Sequence, residues 1–213
     1  MKELIVLIGW YNEVDPAKIK AFEENKRTFE LSNPDVEVIT VINTLDNLED
    51  KKKAWLCSDI PMYEWYLKNS KKHPAKRYLL VEWDCWCDID LHEYFGRVWD
   101  CDLVVPSVMY PERDAWCWFA SIKLLPPAAA KYAVGVVPFC GILIANKAFK
   151  KICKEILKPE YMHVISELRL GTVATMLGID PVPNSVANRI LGWRGVSPFD
   201  KKHKGLHHPR KTL

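Results

Sequence analysis

No stretch of this chain approaches the ~20 consecutive apolar residues that a membrane-crossing helix needs, so a spanning segment is not expected. The opening Met1-Lys2-Glu3-Leu4 carries an acidic residue and leads into a short strand-like run, which is not the pattern of a signal peptide. There is no G-x-G-x-x-G fingerprint and no P-loop, which disfavours a dinucleotide-dependent dehydrogenase and a P-loop nucleotidase. The net charge is only +3, too small to argue for nucleic acid, and no specific nucleic-acid partner is expected. Cys85-Trp86-Cys87 lacks a second cysteine pair at a suitable spacing, so a zinc site is not indicated. The seven cysteines are odd in number and lie mostly in apolar surroundings, which predicts reduced thiols and a cytoplasmic protein. No internal repeat and no linker divides the 213 residues, so residues 1–213 are expected to form a single domain.

What is present is an alternation of strand-like and helix-like segments. Leu4 to Ile8 reads as a buried strand ending at Gly9. Asp15-Pro16 starts a helix, and Val36 to Ile42 alternates as a second strand. Ser58 or Asp59 caps a helix with Pro61 in its first turn, and Tyr78 to Val81 is an apolar third strand. Asp90-Leu91-His92-Glu93 has the form of a capping box. Leu103 to Met109 is a further strand, which Pro106 marks as an edge or a break. Asn146 and Ser166 are expected to cap two later helices, the second stopping at Gly178. The fold class that follows is α/β, a mostly parallel twisted sheet flanked by helices.

Glu82-Trp83-Asp84 closes the third strand. Residues two apart on a strand share a face, so two carboxylates are expected side by side beyond the strand's carboxyl end, where open α/β sheets bind ligands. The bland account is a salt-bridged strand end, but the adjoining strand residues are apolar and offer no cation. A hard divalent metal carrying phosphates is the better account. Asp88-Ile89-Asp90 is a literal D-x-D, yet Asp90 is accounted for by helix capping. Near the end of the chain stands Gly205-Leu206-His207-His208-Pro209-Arg210-Lys211. Taken alone it is a solvated basic tail. Beside a carboxylate pair, a histidine from it shifts the metal preference towards manganese, and Arg210 and Lys211 would meet phosphate oxygens. Gly9-Trp10-Tyr11-Asn12 follows the first strand, with Gly9 permitting close backbone approach and Trp10 or Tyr11 able to stack on a base, although an ordinary turn has the same composition. Glu167 lies in a first helical turn, where the dipole stabilises it and where it could also hydrogen-bond a substrate hydroxyl. Trp83, Trp86, Trp116 and Trp118 suit a core individually and a sugar-stacking surface together.

In order and spacing these segments resemble the GT-A fold glycosyltransferases over nearly the whole chain. Gly9-Trp10-Tyr11-Asn12 looks like their nucleotide-binding loop. Tyr78-Leu79-Leu80-Val81-Glu82-Trp83-Asp84 looks like the strand bearing their D-x-D motif, with Glu82 in place of the first Asp. Pro138-Phe139-Cys140-Gly141-Ile142-Leu143-Ile144 is similar to the strand lining their sugar pocket, and Ser166-Glu167-Leu168-Arg169 to the acidic segment near the acceptor. Leu206-His207-His208-Pro209-Arg210-Lys211 is similar to the segment whose histidine completes the metal site and whose lysine meets the diphosphate. The resemblance leaves His207 and His208 both open as ligand, a histidine directly before proline favouring His208. The chain's size and its end just past this motif also resemble the N-terminal glycosyltransferase domain of a large chlorella virus protein, which would place it in a host cytoplasm. The resemblance implies Mn²⁺ or Mg²⁺ held by Glu82, Asp84 and a histidine, a UDP-sugar donor, and a glycan or glycoprotein acceptor oriented or deprotonated by Glu167. Its histidine-then-lysine ending leans towards retention of stereochemistry. A metal-independent glycoside hydrolase and a non-catalytic glycan-binding module are the alternatives.

Overall fold

Alternation along two neighbouring strands organises the core. On β1 (Lys2–Trp10) and β3 (Ala75–Glu82), Ile5, Leu7, Tyr78 and Leu80 point to one side of the sheet, and Leu4, Val6, Ile8, Leu79 and Val81 point to the other. All nine are at most 3% exposed, so both faces of these strands are covered, as apolar runs in a largely parallel sheet require. The computed structural model describes residues 1–11, 13–43, 56–187 and 203–213.

The main sheet has six strands in the order β2-β1-β3-β8-β5-β9, with β2 at Glu37–Ile42, β5 at Leu103–Val105, β8 at Ile142–Ala145 and β9 at Val182–Pro183. Only β8 runs against the others, so the mostly parallel α/β sheet expected from the sequence is present. Two small ribbons flank it. One pairs β4 (Trp86–Cys87) with β10 (Leu206–His207), the other β6 (Val108–Met109) with β7 (Gly135–Val136). The proline break falls where expected, β5 ending at Val105 before Pro106 and β6 starting at Val108.

Helices cover both faces. α1 (Pro16–Ser32) brings Ala21, Phe22 and Phe29 to one side, joined by Leu91, Tyr94 and Phe95 of the short α3 (Leu91–Phe95). The other side is covered by α2 (Ile60–Asn69), the single turn α4 (Pro127–Ala130), α5 (Asn146–Ile156) and α6 (Ser166–Met176). No helix among the described residues is long and apolar enough to cross a membrane.

Two caps follow the sequence reading. Asp15 accepts a hydrogen bond from the Ala17 amide at 2.9 Å, and Asp90 accepts one from Glu93 at 2.8 Å. Three depart from it. β8 runs straight into α5, leaving Ala145 at the cap position and Asn146 inside the helix, where its Oδ1 accepts from the Tyr66 hydroxyl at 2.6 Å. Ser166 likewise opens α6 from inside, the cap position falling on Ile165, whose carbonyl takes the amides of Leu168 and Arg169 at 3.1 and 2.8 Å. Asp59 occupies the cap position of α2 but makes no capping bond. Its carboxylate pairs with Arg169 in full burial, where an uncompensated charge would be far more costly than an open helix end.

α6 lies hard against the chain leading into β7. A methyl group at Gly171 would sit 2.1 Å from the Val134 carbonyl oxygen, and backbone cannot yield as a flexible side chain can. Gly171→Ala is therefore expected to cost about 3 kcal/mol by forcing α6 outward, read as a lower urea midpoint with an unchanged slope; an unaffected midpoint would show that the helix has room to shift.

Candidate metal centre

β3 ends at Glu82, and the chain then turns at once, the Cys85 amide closing on the Glu82 carbonyl at 3.1 Å. This corrects the expectation that Glu82 and Asp84 share a strand face. Asp84 lies within the turn, and the turn folds its carboxylate back towards Glu82. Beyond it the chain becomes β4, and the C-terminal segment runs antiparallel alongside. Residues 84 to 88 are stitched to it at four places. The Asp88 amide reaches the Gly205 carbonyl at 3.2 Å, Leu206 and His207 pair with Cys87 and Trp86, and the Arg210 amide reaches the Asp84 carbonyl at 2.7 Å. His208 lies between the last two attachments, next to a cis peptide bond to Pro209.

The result is a convergence of ligands. One ligand atom each from Glu82, Asp84 and His208 lie within 4.8 Å of one another. His208 Nε2 is 3.4 Å from Glu82 Oε2 and 3.5 Å from Asp84 Oδ1, and Lys211 Nζ is 3.6 Å from Asp84 Oδ2. Asp84 is 2% exposed, and its Oδ1 has no hydrogen-bond partner among the described residues. A buried, unbonded carboxylate oxygen is costly unless a cation meets it. Neighbouring ligands of an octahedral ion with ~2.1 Å bonds stand about 3 Å apart, so a small inward adjustment of this trio accommodates Mg²⁺ or Mn²⁺. Two carboxylates and one imidazole are a donor set for a divalent cation.

The electrostatics fit the same picture. For His208, burial works against the charged form, but the hydrogen bond with Glu82 and the nearby Asp84 carboxylate outweigh it and raise the imidazole to about 10. Burial raises Asp84, and the positive charges of His208 and Lys211 oppose that rise. Glu167, in the first turn of α6, is raised to about 7, chiefly by burial and then by the charge of Glu82. A group near 7 can give or take a proton at neutral pH.

The remaining predicted residues divide. Gly9 is the register partner of Glu82 across β1 and β3, so it does border the site. A methyl there would meet the Met62 side chain at 2.6 Å, so the missing side chain admits α2. Tyr11, Ser58 and Glu82 line a cavity of about 10 Å³ together with Gly9, enough for about one water. Burial, and then the charge of Glu82, keeps the Tyr11 hydroxyl protonated. Trp10 is not placed for a ligand: it is 7% exposed, stacked on Phe22 at 4.4 Å and edge-on to Trp83. Asn12 lies outside the described residues. His207 stands apart from the trio. Its ring stacks on Trp86 at 3.9 Å, and its Nε2 is 3.0 Å from Asp88 Oδ1, which also takes the Gly205 amide at 2.7 Å. Arg210 turns its guanidinium towards α1, with Nε 2.5 Å from Asn25 Oδ1.

Asn25 is the residue the sequence reading missed. It is fully buried, and its amide nitrogen bonds both the Trp83 carbonyl at 3.1 Å and the Arg210 carbonyl at 2.9 Å. It thereby clamps the metal turn to the C-terminal segment. The available signal was a polar residue in phase with Ala21, Phe22 and Phe29 on an otherwise apolar helical stripe.

No protein-family model matches this chain, and no curated protein matches it. Among solved structures it is similar to the apo form of the glycosyltransferase GlyE from Streptococcus pneumoniae, at 13% identity over 85% of this chain and a TM-score of 0.42. The chain spans 45% of that protein's length. It is also similar to apo mouse xyloside xylosyltransferase 1, at 13% identity over 84% of this chain and 81% of that one, with a TM-score of 0.37.

Two outcomes follow from this geometry. Because Glu167 titrates higher in the folded metal-free protein than in the unfolded chain, its ionisation removes stability as pH rises from about 4.5 to about 7. Glu167→Gln should leave urea stability unchanged near pH 4 and raise it by roughly 3 kcal/mol at pH 8; an equal effect at both pH values would count against a raised carboxyl. Asn25→Ala should cost about 3 kcal/mol and speed amide hydrogen exchange selectively at Arg210, whereas uniform protection loss would deny it the clamping role.

Proposed function

We propose that this protein transfers a sugar from a nucleotide diphosphate donor, most simply a UDP-sugar, to a hydroxyl group of a glycan or glycoprotein. The observation that carries the reading is the trio Glu82, Asp84 and His208, with Lys211 beside it, at the carboxyl edge of a mostly parallel sheet. Glu82, Asp84 and His208 would hold Mn²⁺ or Mg²⁺. Such an ion, when bound, neutralises charge on the diphosphate as the bond from the sugar to its phosphate oxygen breaks.

The chain's own groups account for the rest. Lys211 already faces Asp84, and its ammonium group is free to turn to a phosphate oxygen, where it would stabilise the departing nucleoside diphosphate. Glu167, close to half-ionised at neutral pH, is suited to orient the acceptor hydroxyl and to receive its proton as the new glycosidic bond forms. A hydrolase would need its two carboxyls on either side of the scissile bond. Glu82 and Asp84 instead converge on one point with His208, which favours charge neutralisation over flanking attack.

The test is thermal unfolding with UDP and UDP-sugars, with and without Mn²⁺, on wild type and Asp84→Ala. A ligand that binds only the folded state raises Tm by mass action. The expected result is stabilisation that needs both Mn²⁺ and Asp84, together with a loss of sugar transfer on the order of a hundredfold or more in the variant. Folded protein that responds to no nucleotide, or an Asp84→Ala protein with full metal-dependent turnover, would sink the reading.

A further inference from the structure

Several described surface cations have a carboxylate partner. Lys2 and His73 pair with Glu37, Lys18 with Glu13, Lys26 with Glu30, Lys68 with Glu64, Lys76 with Glu3 and Lys158 with Glu155. On α5 four cations unpaired among the described residues are gathered on one helix face. The apolar stripe of α5, Ala148, Phe149, Ile152, Cys153 and Ile156, is buried, and the opposite face presents Lys147, Lys150, Lys151 and Lys154. All four are exposed, and none makes an ion pair among the described residues. Their spacing of three and four residues sets like charges beside one another, which is unfavourable on a helix. Lys147 also sits in the first turn, at the positive end of the helix dipole. No ion pair among the described residues offsets these costs.

The face extends further. The Tyr66 hydroxyl ties α2 to Asn146 at the start of α5, and Ala145 pairs with Arg77 near the start of β3. Lys71 and Lys72, exposed in the turn after α2, therefore lie at the same end of the sheet as Lys147. That end is opposite Glu82.

We propose that this lysine face is a docking surface for an anionic lipid bilayer. The chemistry of the patch selects that occupant. It is built of lysine, a strongly hydrated point charge, whereas phosphate and base recognition in nucleic acids favours the arginine fork. Nothing on the exposed face of α5 is aromatic, so bases have no stacking platform. Lysine is depleted from the cores of protein interfaces, which argues against an acidic protein. A diffuse negative surface asks only for several unpaired ammonium groups close together, each strengthening attraction. The apolar residues of α5 are committed to the core, so docking would be electrostatic, reversible and salt-sensitive, without insertion. This inference stands independently of the proposed sugar transfer.

The experiment is co-sedimentation with vesicles of phosphatidylcholine alone or mixed with phosphatidylserine, at low and at physiological salt. Wild type, Lys150→Glu/Lys151→Glu and the charge-matched control Lys20→Glu/Lys123→Glu are compared, all confirmed as folded by circular dichroism. Wild type and control should bind the anionic vesicles, weakly or not at all the neutral ones, and less as salt rises. The α5 variant should bind roughly tenfold or more weakly. Absence of binding by wild type, equal binding to neutral vesicles, or equal loss in variant and control would overturn the proposal. Tighter binding to duplex nucleic acid than to anionic vesicles at the same salt would also overturn it, in favour of a nucleic-acid surface.

Discussion

The antiparallel apposition of the C-terminal segment on residues 84 to 88 is the contact on which the rest of the site depends. β3 alone delivers Glu82, and its closing turn adds Asp84, but a buried and a half-buried carboxylate side by side without a counter-charge are an unstable arrangement. His208 and Lys211 arrive from more than a hundred residues later in the chain, and they arrive in register because Gly205, Leu206, His207 and Arg210 are hydrogen-bonded or paired at known places along the turn. Asp88 and Asn25 secure the two ends of this contact. One takes the Gly205 amide and faces His207, and the other bridges the Trp83 and Arg210 carbonyls. A histidine held only by its own flexible segment could not form such a site reproducibly.

A second constraint sits behind Glu167. Arg169 and Asp59 form an ion pair with no exposure on either side chain, and Arg169 also donates to the Tyr161 and Val164 carbonyls at 3.1 and 2.9 Å. With its donors used in this way the guanidinium is tolerable in the core. The pair joins the start of α2 to the first turn of α6. Ser58, immediately before Asp59, lies 3.5 Å from Glu82, and Glu167 lies two residues before Arg169. The buried pair thus sets the spacing between the carboxylates at the strand end and the carboxylate of the helix. Gly171, against the Val134 carbonyl, holds the same helix from its other side.

The sequence was informative wherever local physics decides. The apolar runs of β1 and β3, the caps at Asp15 and Asp90 and the break at Pro106 are settled by neighbours a few residues away, and the structure has them as expected. Asn146 and Ser166 show the limit. Both are good capping residues, yet β8 passes into α5 without a loop, and Ile165 takes the first bonds of α6. Trp10 illustrates the same limit at the site. An indole after a strand-terminal glycine reads equally well as a ligand platform and as core, and only the position of Phe22 on α1 decides for the core.

By itself, the sequence determined a mostly parallel α/β sheet, an acidic pair at the end of its third strand and a histidine-rich basic segment near residue 208. These follow from periodicity and residue chemistry, which are local properties. Only the tertiary structure decided that His208, and not His207, faces the acids, that Asp84 reaches them through a turn, that Arg210 serves Asn25, and that four lysines of α5 make no ion pair among the described residues. The physical reason is the same in each case. The direction of a side chain in a short antiparallel contact depends on register, successive residues pointing to opposite sides, and register is set by hydrogen bonds between segments that are distant in the chain.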